Sequence, residues 1–219
     1  MGISKAKSDP KKRHEKILDA ARELFFRYGY RGTSMSQIAA KAGYSKRTIY
    51  LDYHNKDELF MHLVAEGLEL LLSMLLEIPH EKLAIEDALA QFFKTYFAFY
   101  KEHKNFFRLI FNEATPEIVS NSPIKMQQRV SELERRCMGE AVKVATRAVQ
   151  EKIVIPIDPW EAAGIFLGSV TGIILLSMGG SQTVFSDQAL GAIGEKALKI
   201  LWRGILAKPT SNIDIIWDQ

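Results

Sequence analysis

The chain has 219 residues and a formal net charge of +3, and its 47% hydrophobic and 25% charged residues exclude an intrinsically disordered protein. A single cysteine excludes a disulfide framework and a cysteine-built zinc site, and it suits a reducing cytoplasm. Residues 1–60 hold 13 basic and 7 acidic residues, a net +6, so a basic head precedes a mildly acidic body and an anionic partner is expected at the head alone.

The opening MGISKAKSDPKK is polar and basic, without the apolar core of a signal peptide. Residues 1–9 read as a flexible basic arm, and Lys5, Lys7, Lys11, Lys12 and Arg13 are candidates to reach phosphates or a minor groove. Asp9-Pro10 supplies a cap and a first-turn proline. Ile17, Ala20, Ala21, Leu24, Phe25 and Tyr28 then recur at helical spacing until Gly29. Ser34 with Gln37 is a capping box for a short helix that stops at Gly43, and Ser45 caps the next, to about Asp52. Asn55 with Glu58 starts a longer helix to about Ile78, before Pro79.

Residues 83–101 and 104–113 read as helical and aromatic. Thr115-Pro116 and Ser122-Pro123 are further starts, the second running to about Lys152. Asp158-Pro159 opens another helix, and Phe185 with Leu190 staples the start of the last, about 187–207. The tail Ile213, Ile215, Ile216 and Trp217 is the one strand-like run. The expected fold is all-α: a three-helix head over 10–55 and a larger helical body over 56–219.

Residues 162–186 carry no charge and are long enough to span a bilayer. Ser169, Thr171, Ser177, Ser181, Gln182 and Thr183 interrupt them, and Gly179-Gly180 breaks the helix. Gly164, Gly168 and Gly172 form a stripe that admits another helix closely. The expectation is a buried helix at a subunit interface, not a membrane span.

The most specific signal lies in residues 34–53, SMSQIAAKAGYSKRTIYLDY. Two short helices joined by a tight turn need a small residue at their crossing, a glycine at the turn and an apolar plug in the angle. Ala39, Gly43 and Ile49 stand at those offsets, with Ile38 and Ala42 behind the plug. That is the spacing of a helix-turn-helix, whose second helix enters the major groove. Its outer face carries Ser45, Lys46, Arg47, Thr48 and Tyr50. Arg47 is the candidate for bidentate contact with guanine. Lys46, Tyr50, Lys56 and Thr33 are candidates for phosphate contact.

These residues resemble a known family. Residues 12–62, and above all the run ILDAARELFFRYGYRGTSMSQIAAKAGYSKRTIYLDYHNKDELF from Ile17 to Phe60, are similar to the DNA-binding domain of TetR-family transcriptional regulators. Tyr53 stands where the family usually has Phe, and Leu51 and Asp52 stand where aromatic residues or His are common. An acid at the end of the reading helix is expected to repel phosphate or to accept from a cytosine amino group. His54 is expected to take a backbone contact in its place.

The resemblance implies a C-terminal body that binds a small molecule and forms a homodimer through its last two long helices. Gly164, Gly168, Gly172, Leu176, Leu198, Leu201 and Ile205 are the interface candidates there, together with Ile165 and Ile173. It also implies a near-palindromic double-stranded DNA operator, cytoplasmic location and repression relieved by an effector. The aromatic density of 92–111 suits an apolar pocket as well as it suits a packed core. Pocket candidates are Phe93, Tyr96, Phe97, Tyr100, Phe107, Arg108, Phe111, Asn112, Gln127 and Thr171, and the effector is expected to be hydrophobic or amphipathic. The five histidines show no metal-ligand spacing, and no nucleophile elbow or phosphate loop occurs, so neither an enzyme nor a resident cofactor is expected. The competing reading is a helical small-molecule-binding protein or enzyme with a vestigial helix-turn-helix.

Overall fold

Proline and polar caps at the starts, and glycine at two of the stops, divide the residues that the computed structural model describes, 9–178 and 187–207, into ten α-helices. They are α1 (Pro10–Tyr28), α2 (Met35–Ala42), α3 (Lys46–Tyr50), α4 (Lys56–Leu76), α5 (Ile85–Glu102), α6 (Lys104–Arg108), α7 (Pro116–Asn121), α8 (Ile124–Gln150), α9 (Pro159–Met178) and α10 (Asp187–Ile205). A 3-10 turn, His80–Lys82, precedes α5, and a π turn, Leu109–Glu113, continues α6. The all-α expectation holds: no strand occurs among the described residues, only an isolated antiparallel bridge between Val154 and Leu206. The residues expected to form the arm's first part, the break at Gly179-Gly180, the staple residue Phe185 and the apolar tail lie outside the described residues.

The chain forms two compact units, residues 1–72 with 98–134, and 73–97 with 135–219. Helices α4, α5 and α8 each contribute residues to both, so this division by packing differs in kind from the expected division by role at residue 55.

In the first unit, Ile17, Ala21, Phe25, Ile38, Ile49, Leu59 and Phe60 have no exposed surface and form its centre. The Phe60 ring meets Phe25 edge-on at 5.4 Å. At Gly67 close approach decides the residue, since a Cβ there would lie 2.8 Å from the Phe106 ring. In the second unit, Phe92, Phe93, Tyr96, Val144, Ala148, Phe166 and Trp202 are buried, and α9 packs against α10. Ile155 N–H donates to Ile205 O at 2.7 Å and Ala207 N–H to Ile153 O at 3.0 Å, tying the α8–α9 connection to the end of α10. Helices α4 and α9 are both long and apolar enough to cross a membrane. Much of α4 is buried within the chain, whereas α9 leaves most of its apolar window uncovered.

Candidate nucleic-acid interface and effector cavity

The helix-turn-helix is built as its spacing requires. Ser34 N–H donates to Gln37 Oε1 at 2.7 Å and Gln37 N–H to Ser34 Oγ at 3.3 Å, closing the capping box at α2. Gly43 ends α2 in the left-handed region at φ 73°, the conformation a side chain would strain. Ser45 caps α3 by accepting from Thr48 N–H at 3.1 Å, and the two hydroxyls lie 2.8 Å apart. Ile49 faces inward with no exposed surface, so Lys46, Arg47 and the half-exposed Tyr50 face outward. The result is a short capped helix that presents a cationic pair and a phenol to solvent.

Other expected DNA contacts lie elsewhere. Thr33 is 3% exposed and donates its hydroxyl to Gly29 O at 2.8 Å, where it closes the end of α1. Lys56 Nζ donates to Tyr30 O and Thr33 O, both at 2.9 Å, and sits 3.8 Å over the Tyr30 ring. Burial pushes that ammonium below the usual lysine range. Both side chains serve the α1–α2 loop, a role that their expected phosphate contact did not include. His54 is exposed beside Glu58, with Nδ1 at 3.0 Å from the carboxylate.

Asp52 is turned inward. It does not face outward at the end of α3: its side chain is 6% exposed and accepts from Arg13 Nε at 2.5 Å and Nη2 at 2.6 Å. The Arg13 hydrogen bonds hold its carboxyl below the usual carboxylate range. Arg13, expected in a flexible arm, lies within α1 with Lys11 and Lys12, because Pro10 already begins the helix.

A second constellation had no signal in the sequence. Arg108 Nη2 donates to Phe25 O at 2.9 Å and Phe26 O at 2.8 Å, satisfying carbonyls of the last turn of α1. Its Nε lies 2.9 Å from Glu113 Oε1, and Glu113 accepts from Tyr30 N–H at 2.7 Å. Tyr30 donates its phenol to Asp57, and burial and that bond push the phenol well above its ordinary value. Apart from Arg108 and Glu113, these partners are 27 to 83 residues apart, beyond any periodicity.

The pocket candidates do not gather at one place. Within the second unit, α5, α9 and α10 border a half-open cavity of about 480 Å³ that Phe93 and Phe97 line, with Val170, Ile173, Ile174 and Leu190. Asp87, Gln91, Lys94 and Glu195 are its polar members. Leu198, expected at a subunit interface, lines this cavity, and Ile205 lines a small apolar void beside Phe166 and Trp202. Tyr96 is 3% exposed and its hydroxyl lies 2.7 Å from that of Thr171. Tyr100, Phe107, Arg108, Phe111, Asn112 and Gln127 belong to the first unit. There the Phe107 ring meets Tyr100 edge-on at 5.2 Å and Phe111 tilted at 4.6 Å, and Gln127 donates to Ser122 O at 2.7 Å. Asn112 borders a separate groove with Tyr28 and Thr115.

On α9, a Cβ at Gly164, Gly168 or Gly172 would meet nothing within 4 Å. Ile165, Leu176 and, on α10, Ile200 are 49%, 59% and 70% exposed, while Leu201 is half-buried. No group of three His, Cys, Asp or Glu residues among those described could hold a metal ion.

A capped helix-turn-helix with an outward Lys-Arg pair, on an otherwise helical chain, is the build of a DNA-binding transcriptional regulator. Residues 17–63 match the family model described as bacterial regulatory proteins, tetR family, so the helix-turn-helix head is similar to that of the TetR family. Over 196 residues it is 24% identical to the fatty acid metabolism regulator protein of Bacillus subtilis, covering 88% of this chain and 95% of that one. The fold is similar to that of the transcriptional regulator FadR from Bacillus subtilis, solved in complex with stearoyl-CoA. That match has a TM-score of 0.67 at 23% identity, over 88% of this chain and 99% of the other. A tetR-family regulatory protein from Rhodococcus RHA1 matches at TM-score 0.69 and 19% identity, over 90% and 98%.

Proposed function

We propose that this protein is a cytoplasmic, ligand-responsive repressor that binds a near-palindromic operator as a homodimer and leaves it when a long-chain acyl compound binds. The observation that carries the reading is the α3 face: Lys46, Arg47 and Tyr50 outward, Ile49 buried beneath them. Residues 10–55 are the DNA-binding part and residues 56–219 the effector-binding and dimerisation part.

The uncovered glycine stripe of α9 with Ile165 and Leu176 supports pairing of α9 and α10 with those of a second copy. A two-fold dimer places two α3 helices about one DNA turn apart, hence the near palindrome. The effector class is supported by the cavity of about 480 Å³, within the usual range for small-molecule sites, and by its apolar lining. It is also supported by the relative named for fatty acid metabolism and the FadR complex with stearoyl-CoA. An effector that favours one spacing of the α3 helices lowers DNA affinity by its differential affinity for the two states. Helices α4, α5 and α8, which contribute to both units, are the transmitting elements.

The test is a DNA-release assay with a ladder of acyl-CoA thioesters against free CoA. Release that grows with chain length and is absent with CoA alone is the expected result. Equal DNA binding at every chain length would eliminate the acyl effector.

A further inference from the structure

Asp52 departs from what the TetR family usually places there, and the outward face of α3 does not use it. With five residues, α3 is far too short to hold its own direction. Its start is fixed by Gly43 and the Ser45 cap, and Ile49 anchors its middle. Rotation about that anchor is opposed at the far end, where two consecutive residues of α1 grip two consecutive residues after α3. Arg13 holds both oxygens of Asp52, at 2.5 and 2.6 Å. His14 lies with Nδ1 3.2 Å from the Tyr53 hydroxyl and Nε2 3.6 Å from Asp52 Oδ1. Tyr53 is 2% exposed, and the His62 ring of α4 closes on it edge-on at 5.4 Å. A two-point guanidinium–carboxylate bond fixes orientation as well as distance, and its partial burial weakens screening by salt.

We infer that Asp52 is a positioning residue for DNA recognition: through Arg13 it sets the angle at which α3 presents Arg47, without touching DNA itself. The inference rests on the DNA-binding reading. It separates from two other roles by what each would change. Direct contact of Asp52 with a base alters preference at a single position. Direct contact of Arg13 with phosphate adds about one unit of salt slope per subunit. A tilt of α3 alters discrimination at every position Arg47 and its neighbours reach.

The experiment compares full-length wild type, Asp52→Asn and the exchange pair Arg13→Asp with Asp52→Arg, on duplexes selected by the wild type and on random duplex, at several salt concentrations. Thermal melting is followed in parallel. Asp52→Asn is expected to lower the specific-over-random affinity ratio about tenfold, spread over the half-site. Its random-duplex affinity and salt slope stay as in the wild type, and the exchange pair restores part of the ratio. An unchanged ratio, a loss confined to one base pair, or a salt slope altered by about one unit per subunit would overturn the inference. A ratio that merely follows the loss of folded protein in the melting curves would overturn it too. Failure of the wild type to bind any duplex would instead overturn the DNA-binding reading.

Discussion

Arg47 and Lys46 stand side by side on α3, both exposed, yet they are expected to act differently. A guanidinium can meet a guanine edge at two points, whereas an ammonium meets phosphate as a point charge. Arg47→Ala is therefore expected to cost about 1–3 kcal/mol and to relax preference at one base pair per half-site. Lys46→Ala is expected to weaken all sequences alike and to lower the salt slope by about one unit per subunit. Competitive binding to single-base variants of the operator reads both, and the reverse pattern would exchange their roles. A different residue effect follows from His80, which is 7% exposed and held below the ordinary imidazole range by burial, although Glu140 lies 3.5 Å away. His62 is shifted in the same direction for the same reason. A base that stays neutral when folded leaves the unfolded chain to take up the proton first. Stability is thus full above the ordinary imidazole pKa and falls as pH drops through it. Melting temperature is expected to decline between about pH 7.5 and about pH 5.5, with a shallower decline in His80→Gln. A flat wild-type profile would contradict the assignment.

At the scale of elements, the sequence carries starts and stops and little else. Asp9-Pro10, the Ser34–Gln37 box, Gly43, Ser45, Thr115-Pro116 and Asp158-Pro159 each mark a boundary that the structure places within one or two residues. The π turn at Leu109–Glu113 was not legible, because no local residue type distinguishes it from the helix it continues. The clasp of Arg108 and Glu113 on the end of α1 was equally hidden, since its partners meet only through tertiary packing. So was the inward turn of Asp52, whose position at the end of the reading helix suggested a place at the DNA. Of the expected site, the outward face of α3 was readable from spacing, while the division of the α5 aromatic residues between two compact units was not. Phe93, Tyr96 and Phe97 fall in one compact unit and Tyr100 in the other, a division that periodicity within a helix does not contain. Gly67 tests the packing of α4 against α6 and the π turn. A Cβ there would stand 2.8 Å from the Phe106 ring and 3.0 Å from Ile110, so Gly67→Ala is expected to destabilise by about 1–3 kcal/mol in denaturant melts. An unchanged midpoint would mean that this packing yields freely.

For the whole molecule, the proposed regulator needs two copies of α3 and one body that can shift their spacing. The chain supplies a capped reading helix, an apolar cavity bordered by α5, α9 and α10, and an uncovered glycine stripe on α9. None of these alone implies regulation. Joined in one dimer, they link occupancy of the cavity to the fit between two reading helices and two successive major grooves. Everything else in the reading depends on sequence-specific DNA binding. Its most direct measurement is selection of bound duplexes from a random pool at near-physiological salt, followed by sequencing. Enrichment of a near palindrome with half-sites about one helical turn apart is the expected result. Recovery of no preferred sequence, with no duplex retained even at low salt, would contradict the account.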